Sequence, residues 1–464
     1  MAIKFYNTLT RKIQDFQPLK QGKVKLYTCG PTVYNTAHIG NFRTFLFEDL
    51  LKRYLTLRGF KVTHIMNLTD VDDRTINEAN RTGEPISELT NKYIKQFNDD
   101  LRTLRVQPAD HFPRATEHVR EMIELVTNLM DSGYAYQAQD GSIFFAIDKY
   151  PLYGQLAHID TNQQRSTERV ESDDYSKENP RDFTLWKAWK PEDGEVYWDS
   201  PWGRGRPGWH IECSAMATKY LGRHFDIHCG GVDNIFPHHE NEIAQSVCGY
   251  GGKFVNYWLH SEHLLLGDDK MSKSLGNFYR IAELLREGFT PESLRYVLLT
   301  THYRSKLKFT LDKHHEAQKS IQRIHEIHRR LREFLDDSRG QNNDRLNNEL
   351  DEFYRHMDND LDIANGLAVI FDWIRRTNAA LDNHELDADA ARAGIHFLET
   401  IDQLLDILPE DSEVPEKIMV LVAKRTAARR DRDWALADDL RDQLISAGWE
   451  VKDTATGPEV HPLK

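Results

Sequence analysis

Val24-Lys25-Leu26-Tyr27-Thr28-Cys29-Gly30-Pro31, then His38-Ile39-Gly40-Asn41-Phe42, then Phe60-Lys61-Val62-Thr63-His64-Ile65-Met66-Asn67 read as strand, helix start and strand. Residues 24–28 have the composition of a buried strand, and a Cys-Gly-Pro turn follows. Over residues 38–57 the apolar side chains Phe42, Phe45, Leu46, Leu50, Leu51, Tyr54 and Leu55 recur at helical spacing, and Gly59 stops the pattern. This is a βαβ unit. Its crossover is expected to be right-handed, and its ligands to lie at the C-terminal ends of the strands.

The helix that opens at His38 has the chemistry of a phosphate site. Backbone N–H groups at a helix N-terminus attract anions, and Gly40 lets a phosphate approach closely. His38 and Asn41 are three residues apart on one face, and both carry donors. Much further along, Lys270-Met271-Ser272-Lys273-Ser274 lies between Leu264-Leu265-Leu266 and Leu275-Gly276-Asn277, with small polar neighbours that suggest a loop. Lys270 and Lys273 are placed to stabilise a leaving pyrophosphate electrostatically. Taken singly, each motif reads as a capped helix or a solvated basic loop. In this order, each beside a strand, they read as two halves of one ATP site and point to adenylation of a carboxylate.

A second constellation concerns metal. Phe236-Pro237-His238-His239-Glu240-Asn241-Glu242 is expected to start a helix, with Pro237 at its first position. His238 and Glu242 at i, i+4 could hold one metal; His239 and Glu242 at i, i+3 are an alternative pair. Cys29 ends the first strand and Cys213 follows Trp209-His210-Ile211-Glu212. Two thiolates, an imidazole and a carboxylate suit Zn²⁺. Buried cysteines beside a salt-bridged His/Glu pair explain the same residues equally well.

The chain has 464 residues, 39% hydrophobic and 29% charged, too many for one core. No run reaches transmembrane length, and the opening Met1-Ala2-Ile3-Lys4-Phe5-Tyr6 has no apolar signal region, so a cytoplasmic location is the expectation. The cysteines at 29, 213, 229 and 248 form no CxxC and read as thiols or ligands. The net charge of −13 does not advertise nucleic-acid binding. Residues 417–464 carry nine Lys/Arg against eight Asp/Glu, so a polyanion would prefer that end. Residues 110–200 break the α/β rhythm, with a helix at 117–132, short strands at 134–146 and a polar stretch, and read as an insertion. The α/β pattern resumes at residue 225. Residues 316–407 suggest a helical bundle, with Asn342-Asn343 in an early turn, and Leu408–Pro415 reads as a linker.

Over nearly its whole length the sequence resembles the cysteinyl-tRNA synthetases, a class I family. The resemblance rests on Tyr27–Tyr34, Asn67–Asp73, Gly205–Met216, Phe225–His228 and Pro237–Gln245 together with the two motifs above. His38–Asn41 stands where the family has HIGH, and Lys270–Ser274 is its KMSKS loop. The resemblance implies zinc held by Cys29, Cys213, His238 and Glu242, an amino-acid pocket at Cys29, Thr69 and Trp209, and Gly40, Gly231, Asp233 and Lys273 around the nucleotide. His38, Asn41, Lys270 and Lys273 would be catalytic. Asn41 replaces the family's histidine; an amide still donates to phosphate but carries no proton. Lys424–Arg430 and Asp433–Asp438 resemble the anticodon-binding region, with Arg429, Asp438 and Asp453 where bases are read.

The implied partners are tRNA(Cys), L-cysteine and ATP with Mg²⁺, and the protein is expected to be a monomer with no membrane attachment. The expected fold is α/β. A Rossmann-like catalytic domain (1–110 and 205–260) carries an α+β insertion (111–204). A KMSKS and stem-contact region (261–315), a helical bundle (316–407), a linker (408–416) and a small α/β anticodon domain (417–464) follow. Two rival readings are a ligase joining cysteine to an amino sugar in mycothiol synthesis and a catalytically inactive zinc- and RNA-binding paralogue. Residues 417–464 argue against the first, and the intact lysine loop against the second.

Overall fold

The computed structural model describes residues 2–159, 181–266, 269–270, 278–337, 348–409, 415–454 and 457–462. Lys273, most of the Lys270–Ser274 motif, Asn342-Asn343 and the centre of the 408–416 linker lie outside these residues. The chain divides into two compact units, Met1–Leu408 and Pro409–Lys464.

At the centre of the larger unit is a four-stranded parallel sheet. Its spatial order is Val255–Ser261, Phe225–Gly231, Lys23–Thr28, Lys61–Met66. The chain order reverses beside Lys23–Thr28, which makes a topological switch point there. Helix Ile39–Leu57 crosses from the third strand to the fourth.

Because both faces of a parallel sheet are covered, neighbouring residues go to different cores. Leu26, Met66 and Leu259 pack with Leu46, Leu50 and Leu51 of the crossover helix. Tyr27, Ile65 and Trp258 pack on the other side with Met122 and Leu125 of helix Val119–Asp131, Met216 of helix Trp209–Leu221, and Ala244 of helix Glu240–Tyr250. Each such buried Leu or Phe stabilises the fold by about 1.5–3 kcal/mol relative to exposure. A hairpin, Lys4–Asn7 with Lys12–Asp15, is stitched to the edge strand by Thr8 N–H donating to Trp258 O at 2.9 Å.

The insertion is a five-stranded antiparallel sheet ordered Ala135–Gln137, Ile143–Phe145, Phe183–Ala188, Gly203–Pro207, Trp198–Ser200. Its Gly203–Pro207 strand runs directly into helix Trp209–Leu221, which returns the chain to the central sheet. A small sheet joins Leu264–Leu266 to Leu307–Phe309 in parallel and to Asp269–Lys270 in antiparallel fashion. Four helices follow: Lys313–Asp337, Asn348–Met357, Ile363–Asp382 and Ala388–Leu405.

The smaller unit packs helices Glu416–Arg430 and Trp434–Ser446 and adds a hairpin, Trp449–Thr454 with Gly457–Pro462. Helices and strands are both present in it, as expected of a small α/β domain over 417–464. No helix among the described residues is long and apolar enough to cross a membrane.

Helix 240–250 begins as expected. Phe236 is extended (φ −138°, ψ 132°) and its peptide to Pro237 is cis; from Pro237 the backbone is helical and runs on into Glu240–Tyr250. His238 and His239 therefore lie in the first turn, within reach of Glu242.

Candidate active site and metal centre

Cys29 follows the third strand of the sheet, Asn67 and Thr69 follow the fourth, and Gly230-Gly231 end the second. All lie at the C-terminal edge, where ligands of open α/β sheets bind. Close approach is built in. A Cβ on Gly30 would lie 1.7 Å from Asn67 O, and one on Gly230 would lie 2.9 Å from His239 Cε1. Only glycine lets these segments converge.

The structure brings Cys29, Cys213, His238 and Glu242 together, with their ligating atoms within 4.8 Å of one another. Cys29, His228, His239 and Glu242 meet the same criterion. Glu242 is shared: Oε1 lies 3.1 Å from His238 Nε2, and Oε2 lies 3.0 Å from His228 Nε2. His239 Nε2 is 3.3 Å from Cys29 Sγ, and its Nδ1 is 2.8 Å from His260 Nε2. His210 Nδ1 is 2.8 Å from His238 Nδ1. Sequence reasoning left out His228 and His260 as site residues, because no spacing rule links them to helix 240–250; only the sheet register does.

The electrostatics suit a cation. Burial, then the neighbouring Cys213 and Glu242, push the Cys29 thiol up. At Cys213 a hydrogen bond to Cys29 pulls the pKa down, but burial and the nearby carboxylates outweigh it, and the thiol is raised. Burial holds His238, His210 and His260 down to about 3, so these imidazoles stay neutral. Neutral imidazoles are the ligand form of histidine, and a divalent metal displaces thiol protons on binding. The residues present therefore fit Zn²⁺.

Trp209 is the first residue of its helix. It is 39% exposed, and its ring centre lies 4.6 Å from that of His238, so it stands at the rim of the cluster. Thr69 is buried and donates from Oγ1 to Glu212 Oε2 at 2.8 Å.

His38 is the N-cap of helix Ile39–Leu57, whose first turn holds no acidic residue, as an anion site requires. Asn41 Oδ1 accepts from His38 N–H at 3.1 Å, which leaves the amide nitrogen of Asn41 as its donor. Ile39 N–H donates to Tyr279 O at 2.9 Å, which ties the helix start to the segment just beyond Lys270–Ser274. Lys270 pairs with Leu265 through the backbone. Gly231 ends its strand, and Asp233 Oδ1 lies 3.2 Å from His263 Nε2.

In the smaller unit, Arg425 holds Asp453 bidentately at 2.8 and 2.9 Å, and Arg429 Nη1 lies 3.3 Å from Asp453 Oδ2. Arg429 also sits over the ring of the exposed Trp434, and Asp438 lies 3.6 Å from Arg441. Arg425 and Trp434 lie within the segments that resemble the anticodon-binding region, but the sequence gives neither a role of its own.

Family models match three successive segments. They are described as tRNA synthetases class I (C) catalytic domain (residues 15–319), DALR domain (352–409) and cysteinyl-tRNA ligase anticodon binding domain (411–460). Solved structures share the fold. The methionyl-tRNA synthetase of Mycobacterium tuberculosis with methionyl-adenylate gives a TM-score of 0.61 at 16% identity, covering 84% of this chain and 92% of that one. LeuRS of Agrobacterium radiobacter in a ternary complex with tRNA gives 0.60 at 12% identity, covering 85% of each. Fold and catalytic domain are thus those of a class I tRNA synthetase.

The curated relatives are more specific. The cysteine–tRNA ligase of Chlamydia pneumoniae is 46% identical over 475 residues, covering 100% of this chain and 98% of its own length. That of Brachyspira hyodysenteriae is 43% identical, covering 98% of both. The chain belongs to the cysteine–tRNA ligase family.

Proposed function

We propose that the protein activates L-cysteine with ATP and transfers it to the 3′ end of tRNA(Cys). The observation that carries this reading is the convergence of Cys29, Cys213, His238 and Glu242 beside Trp209 and Thr69, at the same sheet edge as the His38–Asn41 helix start.

The start of the Ile39–Leu57 helix, with His38, Gly40 and the Asn41 amide, receives the phosphates, and Gly231 and Asp233 face the nucleoside. Thr69 and Trp209 orient the amino acid so that its carboxylate attacks the α-phosphorus. The bond to pyrophosphate breaks, and Lys270 and Lys273 stabilise the charge that leaves. A terminal ribose hydroxyl of the tRNA then attacks the activated carbonyl, and AMP departs.

Of the two donor sets, the one with both thiols suits Zn²⁺ better. When bound, zinc supplies a Lewis acid that prefers sulfur to oxygen. This matters because pockets without such a ligand separate close isosteres only about a hundredfold. Arg429, Asp438 and Asp453 are the residues proposed to read the anticodon. The match of residues 411–460 to an anticodon-binding domain favours tRNA over an amino sugar as acceptor.

Charging of a tRNA(Cys) transcript, with cysteine and serine compared, tests the proposal. Cysteine should be esterified and serine should not. Lys273→Ala should abolish ATP–pyrophosphate exchange and leave tRNA binding intact. A wild-type protein that binds the transcript but charges it with neither amino acid would overturn the reading in favour of the inactive paralogue.

A further inference from the structure

The two thiols of the proposed metal site come from elements far apart in sequence, and a line of buried, directional hydrogen bonds joins the residues next to them. Gly30 N–H, adjacent to Cys29, donates to Asn67 Oδ1 at 3.0 Å. Asn67 Nδ2 donates to Thr69 Oγ1 at 3.2 Å, and Thr69 Oγ1 donates to Glu212 Oε2 at 2.8 Å. Glu212 is adjacent to Cys213 in the chain. Asn67, Thr69 and Glu212 are each no more than 2% exposed. The amide oxygen of Asn67 takes the backbone N–H, so its nitrogen faces Thr69, whose hydroxyl in turn bonds to Glu212.

The backbone repeats the same closure. Thr69 N–H donates to Pro31 O at 3.2 Å, and Val33 N–H donates to Thr69 O at 3.0 Å. The glycine at position 30 is pressed so close to Asn67 O that no Cβ fits. The loops after the third and fourth strands are therefore tied to each other at several points. Glu212 is the link between these loops and helix Trp209–Leu221, which carries Cys213.

We infer that Asn67, Thr69 and Glu212 form a strap that fixes the separation of Cys29 and Cys213, and so sets how tightly the site holds its metal. They are positioning residues and touch the metal only through the cysteines. The inference rests on the metal reading given under Proposed function. Partners of this outer kind are typically worth about 10–100-fold in metal affinity.

The experiment is Zn²⁺ competition against a chromophoric chelator on the full-length chain, with the visible spectrum of the Co²⁺-loaded form as a second readout. Glu212→Leu and Thr69→Val remove the hydrogen bonds with little change of volume. Each should weaken Zn²⁺ binding about tenfold or more and shift the cobalt bands. Glu212→Gln and Thr69→Ser keep an acceptor and a hydroxyl, and should return affinity and spectrum to within about threefold of wild type. Tyr303→Phe serves as control: it breaks a buried hydrogen bond to Asp360 elsewhere in the unit and should lower thermal stability without changing affinity.

The strap is overturned if Glu212→Leu and Thr69→Val bind zinc as wild type does, if the conservative variants are as weak as the disruptive ones, or if Tyr303→Phe weakens binding equally. A wild-type protein that binds neither metal ion would overturn the metal reading, and the strap with it.

Discussion

His64 shows how a single buried side chain ties stability to pH. It lies on the fourth strand, fully enclosed, with its Nε2 3.0 Å from Thr28 Oγ1. Burial, assisted by Lys52, holds its pKa down to about 3. An unfolded histidine titrates near 6.5, so between pH 6.5 and 3 the unfolded chain takes up a proton that the native chain refuses. Stability from this residue is complete above pH 6.5 and falls by up to about 1.4 kcal/mol per pH unit towards pH 3. Urea unfolding at pH 7 and pH 5 should show a smaller loss for His64→Gln than for wild type. An equal loss would mean that His64 is not the group responsible.

The proposed metal site carries a second prediction. Cys213→Ser should reduce bound zinc from about one per chain, the stoichiometry of a single four-ligand site, to well below half. Elemental analysis of the purified variant checks it. Retention of stoichiometric zinc would favour the set with His228 and His239, which omits Cys213. Sequence spacing offered His238 and His239 as alternative partners of Glu242, because i, i+4 and i, i+3 contacts are local, and both lie near it, at 3.1 and 3.9 Å. It could not show His228 opposite the same carboxylate, because that contact depends on how separate elements pack.

At the scale of elements, the segment that decides the fold behaves as its pattern implies. The helix and both strands of the βαβ unit lie within a residue of the spans read from periodicity. Their apolar faces are long and regular, so local pattern and tertiary packing agree. The helix expected from Pro237 starts there, because the extended Phe236 breaks it from the residues before, and His238 and His239 fall in its first turn. Where the reading falls short of the structure, the determinant is not periodic. The hairpin Trp449–Thr454 with Gly457–Pro462 is not legible strand by strand, because only Trp449, Val451 and Val460 pack on the small core and so few apolar positions make too short a pattern.

Gly30 gives the sharpest test at this scale. Gly30→Ala puts a Cβ onto a backbone oxygen that no side-chain rotation can move. The expected cost is more than about 3 kcal/mol, with zinc affinity reduced as well, because Cys29 is adjacent. A calorimetric midpoint within about 1 °C of wild type would refute the close packing of these two loops.

Across the larger unit, one buried arginine joins the crossover helix to the helical bundle. Arg295 donates to Asp49 Oδ2 at 2.6 Å, to Leu104 O at 3.0 Å, and to Leu404 O and Leu405 O at 3.0 and 2.5 Å. Arg53 holds the same Asp49 oxygen at 2.8 Å. All three charged groups are buried. Removing one partner of such a network strands the others, so Arg295→Met should cost about 3–5 kcal/mol in denaturant unfolding. Zinc content should not change, because none of these residues adjoins the metal site. A loss below about 1 kcal/mol would show that the network is dispensable. The smaller unit has its own tie in Arg425 and Asp453.

The proposed thiol-rich zinc site, beside the proposed ATP site, is what would make this protein select cysteine. Cysteine-dependent ATP–pyrophosphate exchange tests it most directly, measured with cysteine and with serine on zinc-stripped protein and again after zinc is restored. Exchange with cysteine alone, lost on stripping and recovered with zinc, is the expected result. Equal exchange with serine, or cysteine selectivity that survives complete removal of zinc, would contradict it.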